Sequence, residues 1–200
     1  MTYRSRLLVV AKGARVQLRF PVRTDLDEWV ELRRTSWRFL RAAEPAPATG
    51  SDPNGPEAFQ KVLETAIADR SRRLFVCSND GGGILGQISF SDISRGPFQS
   101  AYIGYWIGRA HGGRGLMTEA LVLAVDFAFQ DLNLHRLEAN IRPTNAASLA
   151  LVERCGFQRE GYARRLLRIA GRWHDHERWA VISEDWRPKK ASSSRMAKRK

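Results

Sequence analysis

The order of hydrophobic periodicities predicts a mixed α/β domain, with antiparallel hairpins near both ends and one βαβ unit in the middle. Three observations carry this. Period-two runs and helical three/four-spaced runs alternate in the order β-α-α-β-β-β-α-β-α-β-β. Short turn sequences join the strands near both ends, as antiparallel neighbours require. Between Ile107 and Leu121 a strand meets a helix through the glycine-dense Gly112-Gly113-Arg114-Gly115, and a strand–helix–strand unit holds its two strands parallel. The 200 residues suffice for one well-cored domain, which is expected to run over residues 1–186.

Each element has its own signature. Arg15 to Phe20 alternates polar and apolar residues and reads as a half-buried first strand. Thr24 and Asp25 open a helix by capping hydroxyl and early acids. The apolar recurrence Leu26, Trp29, Val30, Trp37, Leu40 carries it to about Ala43. Glu44 to Pro56, rich in proline and glycine, is a loop and a candidate substrate lid. A second helix is expected from Glu57 to Arg72, with Phe59, Val62, Leu63, Ala66 and Ile67 on one face. Strands follow at Leu74–Ser78, Ile84–Ser91 and Ser100–Ile107, the first two joined by a turn at Asn79–Gly83. A helix over Met117–Leu132, a strand over His135–Ile141 and a helix over Ala146–Cys155 come next, the last stopped by Gly156. Two long strands, Phe157–Ile169 and Trp173–Ser183, close the domain around Ala170-Gly171-Arg172.

Composition narrows the class. No run approaches the ~18 consecutive apolar residues of a bilayer span. Leu7 to Ala11 is too brief for a signal peptide and lacks a cleavage pattern. Cys77 and Cys155 sit in apolar surroundings at no metal-like spacing. They read as two buried thiols, which fits a reducing cytoplasm. No metal site is expected, because His174 and His176 lack Cys or acid ligands at a recognised spacing. The net charge is +12, and residues 187–200 hold seven basic residues and no acid, which leaves +5 on the rest. That tail cannot bury apolar surface and is expected to be disordered. It either attracts polyanions, RNA first among them, or only solubilises.

The glycine turn is the sharpest chemical signal. Glycines let backbone approach a ligand closely, and the amides opening the next helix favour an anion. A Walker loop is excluded by the missing Gly-Lys-Ser/Thr, and a dinucleotide fingerprint by Thr118 where a third glycine belongs. Amides from Gly113, Gly115, Leu116, Met117 and Thr118 can converge on a pyrophosphate, with Arg114 and Thr118 adding polar contacts.

Gly112-Gly-Arg-Gly-Leu-Met117 resembles the acetyl-CoA pyrophosphate loop of the GNAT N-acetyltransferases, and Asn145-Ala-Ala-Ser148…Gly156-Phe157 resembles their second signature. Within that family, Gly171-Arg-Trp-His-Asp-His176 and Gly115-Leu-Met-Thr-Glu-Ala-Leu121 look most like the RimJ/RimL group, which acetylates N-termini of ribosomal proteins. The resemblance covers Val16 to Trp186. It implies the GNAT fold, a mostly antiparallel mixed sheet whose parallel pair splays at the acetyl-CoA site, flanked by helices. Acetyl-CoA is then the acetyl donor, bound by Trp106, Ile107, Gly112, Gly113, Arg114, Gly115, Leu116, Met117, Thr118, Asn145 and Ser148. The acceptor is a protein N-terminal amine in the cytoplasm, and ribosomal RNA a partner of the tail; no membrane is involved. Gly112 departs from the family's Gln or Arg, so that one pyrophosphate contact is either lost or supplied by His111 or Arg114, and Met117 replaces a small residue. Val152 stands where many members carry an acidic tyrosine, so the resemblance places Asn145 and Ser148 near the CoA sulfur instead.

An α-amine, with a pKa near ~7.7–8.0, is partly unprotonated at neutral pH, so direct attack needs only a modest base or a water relay. Glu138, on the strand after the helix, is the candidate base or else a surface carboxylate paired with Arg136 or Arg142. Glu119, in the first turn of its helix, is expected to favour the helix dipole. Asp175 and His176 are expected to hold the terminal hairpin by hydrogen bonds. Tyr162 either lines a peptide slot or packs. Two other readings stay open: acetylation of a small amine such as an antibiotic or polyamine, and a ribosome-assembly or RNA-binding factor on the same fold.

Overall fold

A computed structural model describes residues 9–44 and 51–187. Nine strands form one sheet in the order β1-β2-β4-β5-β6-β7-β9-β8, with β3 hydrogen-bonded to β4 off that path. The strands are β1 (Val9–Lys12), β2 (Val16–Arg19), β3 (Ile67–Ala68), β4 (Ser71–Ser78), β5 (Ile84–Ser94), β6 (Ser100–Ile107), β7 (Arg136–Ile141), β8 (Gln158–Ile169) and β9 (Arg172–Ile182). The helices are α1 (Leu26–Leu40), α2 (Pro56–Glu64), α3 (Leu116–Gln130) and α4 (Ala146–Arg154). The pairings are antiparallel except β6 with β7.

Strand β4 makes the layering plain. Leu74, Phe75, Val76 and Cys77 are all fully buried, because successive side chains point to opposite faces and both faces are covered. Leu74 and Val76 join the larger core with Ala120, Leu121, Ala124 and Val125 of α3. Phe75 and Cys77 join the smaller one with Trp29 of α1 and Phe59 and Val62 of α2. Helix α1 buries Trp29, Arg33, Ser36 and Leu40, a stripe at four- and three-residue steps. Both cysteines are buried and neither is in a disulfide, as their apolar surroundings predict.

The structure corrects the sequence reading in three places. Thr24 does not cap the first helix: it lies inside a short 3-10 turn at Arg23–Asp25, and α1 starts after Asp25 with no side-chain cap hydrogen bond. The first strand has an antiparallel partner in β1, built from the apolar run at Val9–Lys12. The second helix ends at Glu64 instead of Arg72. Ala66 and Ile67 keep helical spacing, yet Arg72 and Arg73 pair with Phe90 and Ser89 of β5, and Ile67 turns back to pair with Arg72. Long-range pairing overrides local periodicity there. Ile67 is accordingly 64% exposed. Of the candidate lid, residues 45–50 lie outside the described residues, as does the basic run 188–200. No helix among the described residues is long and apolar enough to cross a membrane.

The parallel pairing of β6 with β7 is short. It joins Ser100 to Arg136, Ala101 to Leu137 and Tyr102 to Glu138, and stops. Beyond it β6 continues along β5 to Ile107 and β7 along β9 to Ile141. The two strands diverge, leaving the β7-facing backbone edge of β6 unpaired from Ile103 onward.

Candidate active site

The glycine turn sits where the sequence placed it, between β6 and α3. Gly113 and Gly115 both have φ of +73°, the left-handed region where a side chain is disfavoured. Gly115 is the residue from which α3 starts. The backbone amides of Gly113, Arg114, Gly115, Leu116, Met117 and Thr118 make no hydrogen bond among the described residues, and Glu119 is the first to bond back, to the Gly115 carbonyl. Successive free amides at a helix N-terminus form an anion-binding cradle. Gly112 differs: its N–H donates to the Arg109 carbonyl at 3.3 Å, so it closes the turn instead of joining the cradle.

An ion pair behind the loop aims it. The Glu119 carboxylate accepts the backbone N–H of Arg15 at 2.7 Å and its Nε–H at 2.9 Å. The Arg15 guanidinium then donates to the carbonyls of Arg114 at 2.9 Å and Gly115 at 3.3 Å. Drawing these carbonyls toward the β1–β2 turn leaves the amides to face the opposite way. Glu119 thus does more than favour the helix dipole. Burial pushes its carboxyl pKa up, but the Arg15 and Val16 donors outweigh that and hold it below the usual value. A depressed carboxyl contributes fully above its unfolded pKa near ~4.3 and is lost only as pH falls through the folded value. Glu119→Ala is therefore expected to raise the KM for acetyl-CoA about ten-fold at neutral pH, equivalent to ~1.4 kcal/mol, with kcat little changed. Steady-state kinetics checks this, and the defect relative to wild type should shrink in ligand binding measured below about pH 4.

The divergence of β6 and β7 opens a cleft of about 770 Å³. Its walls include Trp29 and Arg33 of α1, Gln87 of β5, Tyr105 and Trp106 of β6, Asn140 of β7, Asn145 and Ser148 at the start of α4, and His176 of β9. Arg33 is 4% exposed. Its guanidinium stands 5.6 Å from the ring centroids of Trp29 and Trp37 and 5.0 Å from that of Trp106, and it pairs with the Glu44 carboxylate at 2.7 Å. Trp106 is thereby fixed by packing, and the backbone groups of its neighbours Tyr105 and Ile107 face the open edge of β6, while those of Trp106 face β5.

Asn145 caps α4 by accepting the Ser148 N–H on Oδ1 at 3.2 Å. The Ser148 hydroxyl lies 2.6 Å from the Tyr105 hydroxyl. Burial raises the Tyr105 pKa beyond the usual phenol range, with the Ser148 bond offsetting only part of it. The phenol therefore stays protonated at working pH and can donate to Ser148 Oγ, which frees the serine O–H to point into the cleft. Asn145, Ser148 and Tyr105 form one cluster, in which Tyr105 is the member that sequence reading missed.

Glu138 stands apart. Its carboxylate accepts from Arg136 at 3.0 Å and Arg178 at 2.9 Å, and it is not among the cleft walls. Burial raises its pKa, but the two guanidiniums outweigh that and hold it low. Of the hairpin residues, Asp175 accepts the Tyr162 hydroxyl at 2.8 Å and the Arg165 amide at 2.7 Å, fastening a bulge in β8. Tyr162, half exposed, is held there and is not among the cleft walls. No cluster of three or more metal-ligating side chains exists among the described residues.

Known proteins carry the same architecture. Residues 15–158 match the profile described as acetyltransferase (GNAT) domain. The chain is 43% identical over 168 residues to the ribosomal protein uS5-alanine N-acetyltransferase of Escherichia coli strain K12, covering 82% of this chain and 87% of that one. It is 25% identical over 130 residues to the spermidine N(1)-acetyltransferase of Vibrio cholerae, covering 65% and 75%. The solved structure of Mycobacterium smegmatis RimJ in complex with CoA-disulfide superposes with a TM-score of 0.78 at 30% identity, over 84% of this chain and 82% of that one. With the free amides of the loop, the open edge of β6 and these relatives, the chain belongs to the GNAT acetyltransferase family and is an acetyl-CoA-dependent N-acetyltransferase.

Proposed function

We propose that this enzyme acetylates the α-amine of a protein N-terminus, an alanine of a ribosomal protein being the favoured acceptor. The observation that carries the choice of acceptor is the charge of the cleft. Its walls hold Arg33, Lys61, Arg73 and Arg142 against Glu44 and Asp92, with Arg33 and Glu44 already paired. A polycation such as spermidine is repelled by that wall, whereas an N-terminal peptide brings a single ammonium group and sheds it on deprotonation. The similarity to a uS5-alanine acetyltransferase supports the same acceptor. The basic run at 187–200 fits an encounter with ribosomal RNA.

In this reading the amides of Gly113 to Thr118 hold the pyrophosphate, with the Arg114 side chain free to join them. The unpaired edge of β6 at Tyr105 and Ile107 receives the amides of the pantetheine arm, with Trp106 between them held against β5. Acetyl-CoA supplies the acetyl group as a thioester. Ser148, held by Asn145 and Tyr105, places its hydroxyl proton beside the leaving sulfur. The open edge of β6 offers a backbone N–H where negative charge develops on the carbonyl oxygen. No covalent enzyme intermediate is required, because the amine attacks directly.

The test is acetyl transfer to an alanine-initiated peptide, a serine-initiated peptide and spermidine at equal concentration, with products located by mass spectrometry. Acetyl on the alanine α-amine, with kcat/KM at least about ten-fold above that for spermidine, is the expected result. Faster turnover of spermidine overturns the reading.

A further inference from the structure

We propose that His176 accepts the proton of the attacking amine. This rests on the N-acetyltransferase reading of the cleft and holds for any amine acceptor.

His176 lies on β9 and is 2% exposed, yet it is one of the residues that line the cleft. Alternation along β9 explains the placement. Trp179 and Val181 face the core beneath α3, so His176, Arg178 and Ala180 face the other side, the side of Asn140 and Arg142. The ring is fixed in one tautomer. Its Nδ1 is 3.0 Å from the His174 backbone carbonyl, and a carbonyl can only accept, so Nδ1 carries the hydrogen. In the neutral ring Nε2 is then a bare lone pair. It makes no hydrogen bond among the described residues. A buried imidazole with one nitrogen anchored and the other unengaged at a cleft is the arrangement a proton acceptor requires.

The surrounding charges keep it neutral. Burial comes first, and Arg142 and His174 oppose protonation, while the His174 carbonyl and Asp175 favour it without prevailing. Arg33, Lys61 and Arg73 across the cleft add positive charge, and Glu44 and Asp92 are the acids facing it. Asp175 itself is held by Tyr162 and the Arg165 amide. Glu138, the carboxylate nearest in sequence logic, is occupied by two arginines and held well ionised, which makes it a weak base.

The step balances as follows. The amine nitrogen forms the N–C bond to the acetyl carbon as the C–S bond breaks. The proton released from nitrogen passes to His176 Nε2, directly or through one water, and the sulfur leaves with a proton delivered from the Ser148 side. The imidazolium returns its proton to solvent and Ser148 regains one from solvent, so the enzyme is unchanged before the next turnover.

The experiment compares wild type with His176→Gln and His176→Ala on whichever of the alanine peptide and spermidine the wild type acetylates, so a wrong acceptor does not mask the result. Both variants are expected to lose about 100-fold in kcat while the thermal shift given by acetyl-CoA is unchanged. Added imidazole should restore part of the His176→Ala rate. The low-pH limb of the wild-type kcat/KM profile, below the ordinary imidazole value near ~6.5, should vanish in His176→Gln. Retention of more than about half the wild-type kcat, or a loss that imidazole cannot relieve and that leaves the pH limb in place, overturns the proposal.

Discussion

Replacing Ser148 with alanine is expected to lower kcat about 100-fold with the KM for acetyl-CoA within about two-fold of wild type. The hydroxyl sits at the start of α4, its amide engaged by Asn145 and its oxygen 2.6 Å from the Tyr105 hydroxyl. Removing it leaves the loop and the β6 edge intact, so binding should persist while, in the proposed mechanism, the leaving sulfur loses its proton source. Tyr105→Phe keeps the ring in place and deletes only the donor that orients Ser148, so a smaller loss of about ten-fold is expected. Because the two hydroxyls act as one unit, the double variant should be no worse than Ser148→Ala alone. Steady-state kinetics on the four proteins decides it. A fully additive double variant would mean that Tyr105 acts on its own.

A second large effect is expected at Gly115. Its φ of +73° is costly for any L-residue and most for a β-branched one, by roughly 1–2 kcal/mol or more. Gly115→Val must either carry that strain or turn the amides of Leu116, Met117 and Thr118 away from the anion. The KM for acetyl-CoA should rise about 30-fold or more, with far less change in kcat. Gly112 supplies the control. It has φ −64° and ψ 157°, ordinary extended backbone, and a Cβ there would come no closer than 3.5 Å to the Arg109 carbonyl oxygen. Gly112→Ala is expected to bind acetyl-CoA nearly as wild type does, although both glycines belong to one motif.

That contrast marks what could be read from the chain alone. Helix and strand periods located the elements that carry the site, and the turn from Gly112 to Gly115 announced a backbone cradle. Which glycines do the work was hidden, because φ is a property of the folded turn. Asn145 and Ser148 were legible only through the family signature, although the cap that joins them spans just three residues. Arg15 and Glu119 are 104 residues apart, and Tyr105 and Ser148 are 43 apart. Nothing in local spacing signals such pairs, and only the sheet order brings them together. The strand at Val9–Lys12 was missed for a related reason, since four apolar-leaning residues become a strand only when a neighbour exists to pair with. His176 was read as a hairpin fastener because its sequence neighbours are polar, whereas the cleft it borders is assembled from α1, β5, β6, β7 and α4.

The short ladder between β6 and β7 gives the molecule a mechanical seam. The sheet is continuous in strand order, yet its parallel ladder there is only three residue pairs, backed by the larger core that runs from β4 and β6 to β7 and β9. On one side lies a slab of six paired strands, on the other a slab of three. A ligand seated in the fork would touch both slabs at once and bridge the one parallel joint among the described strands.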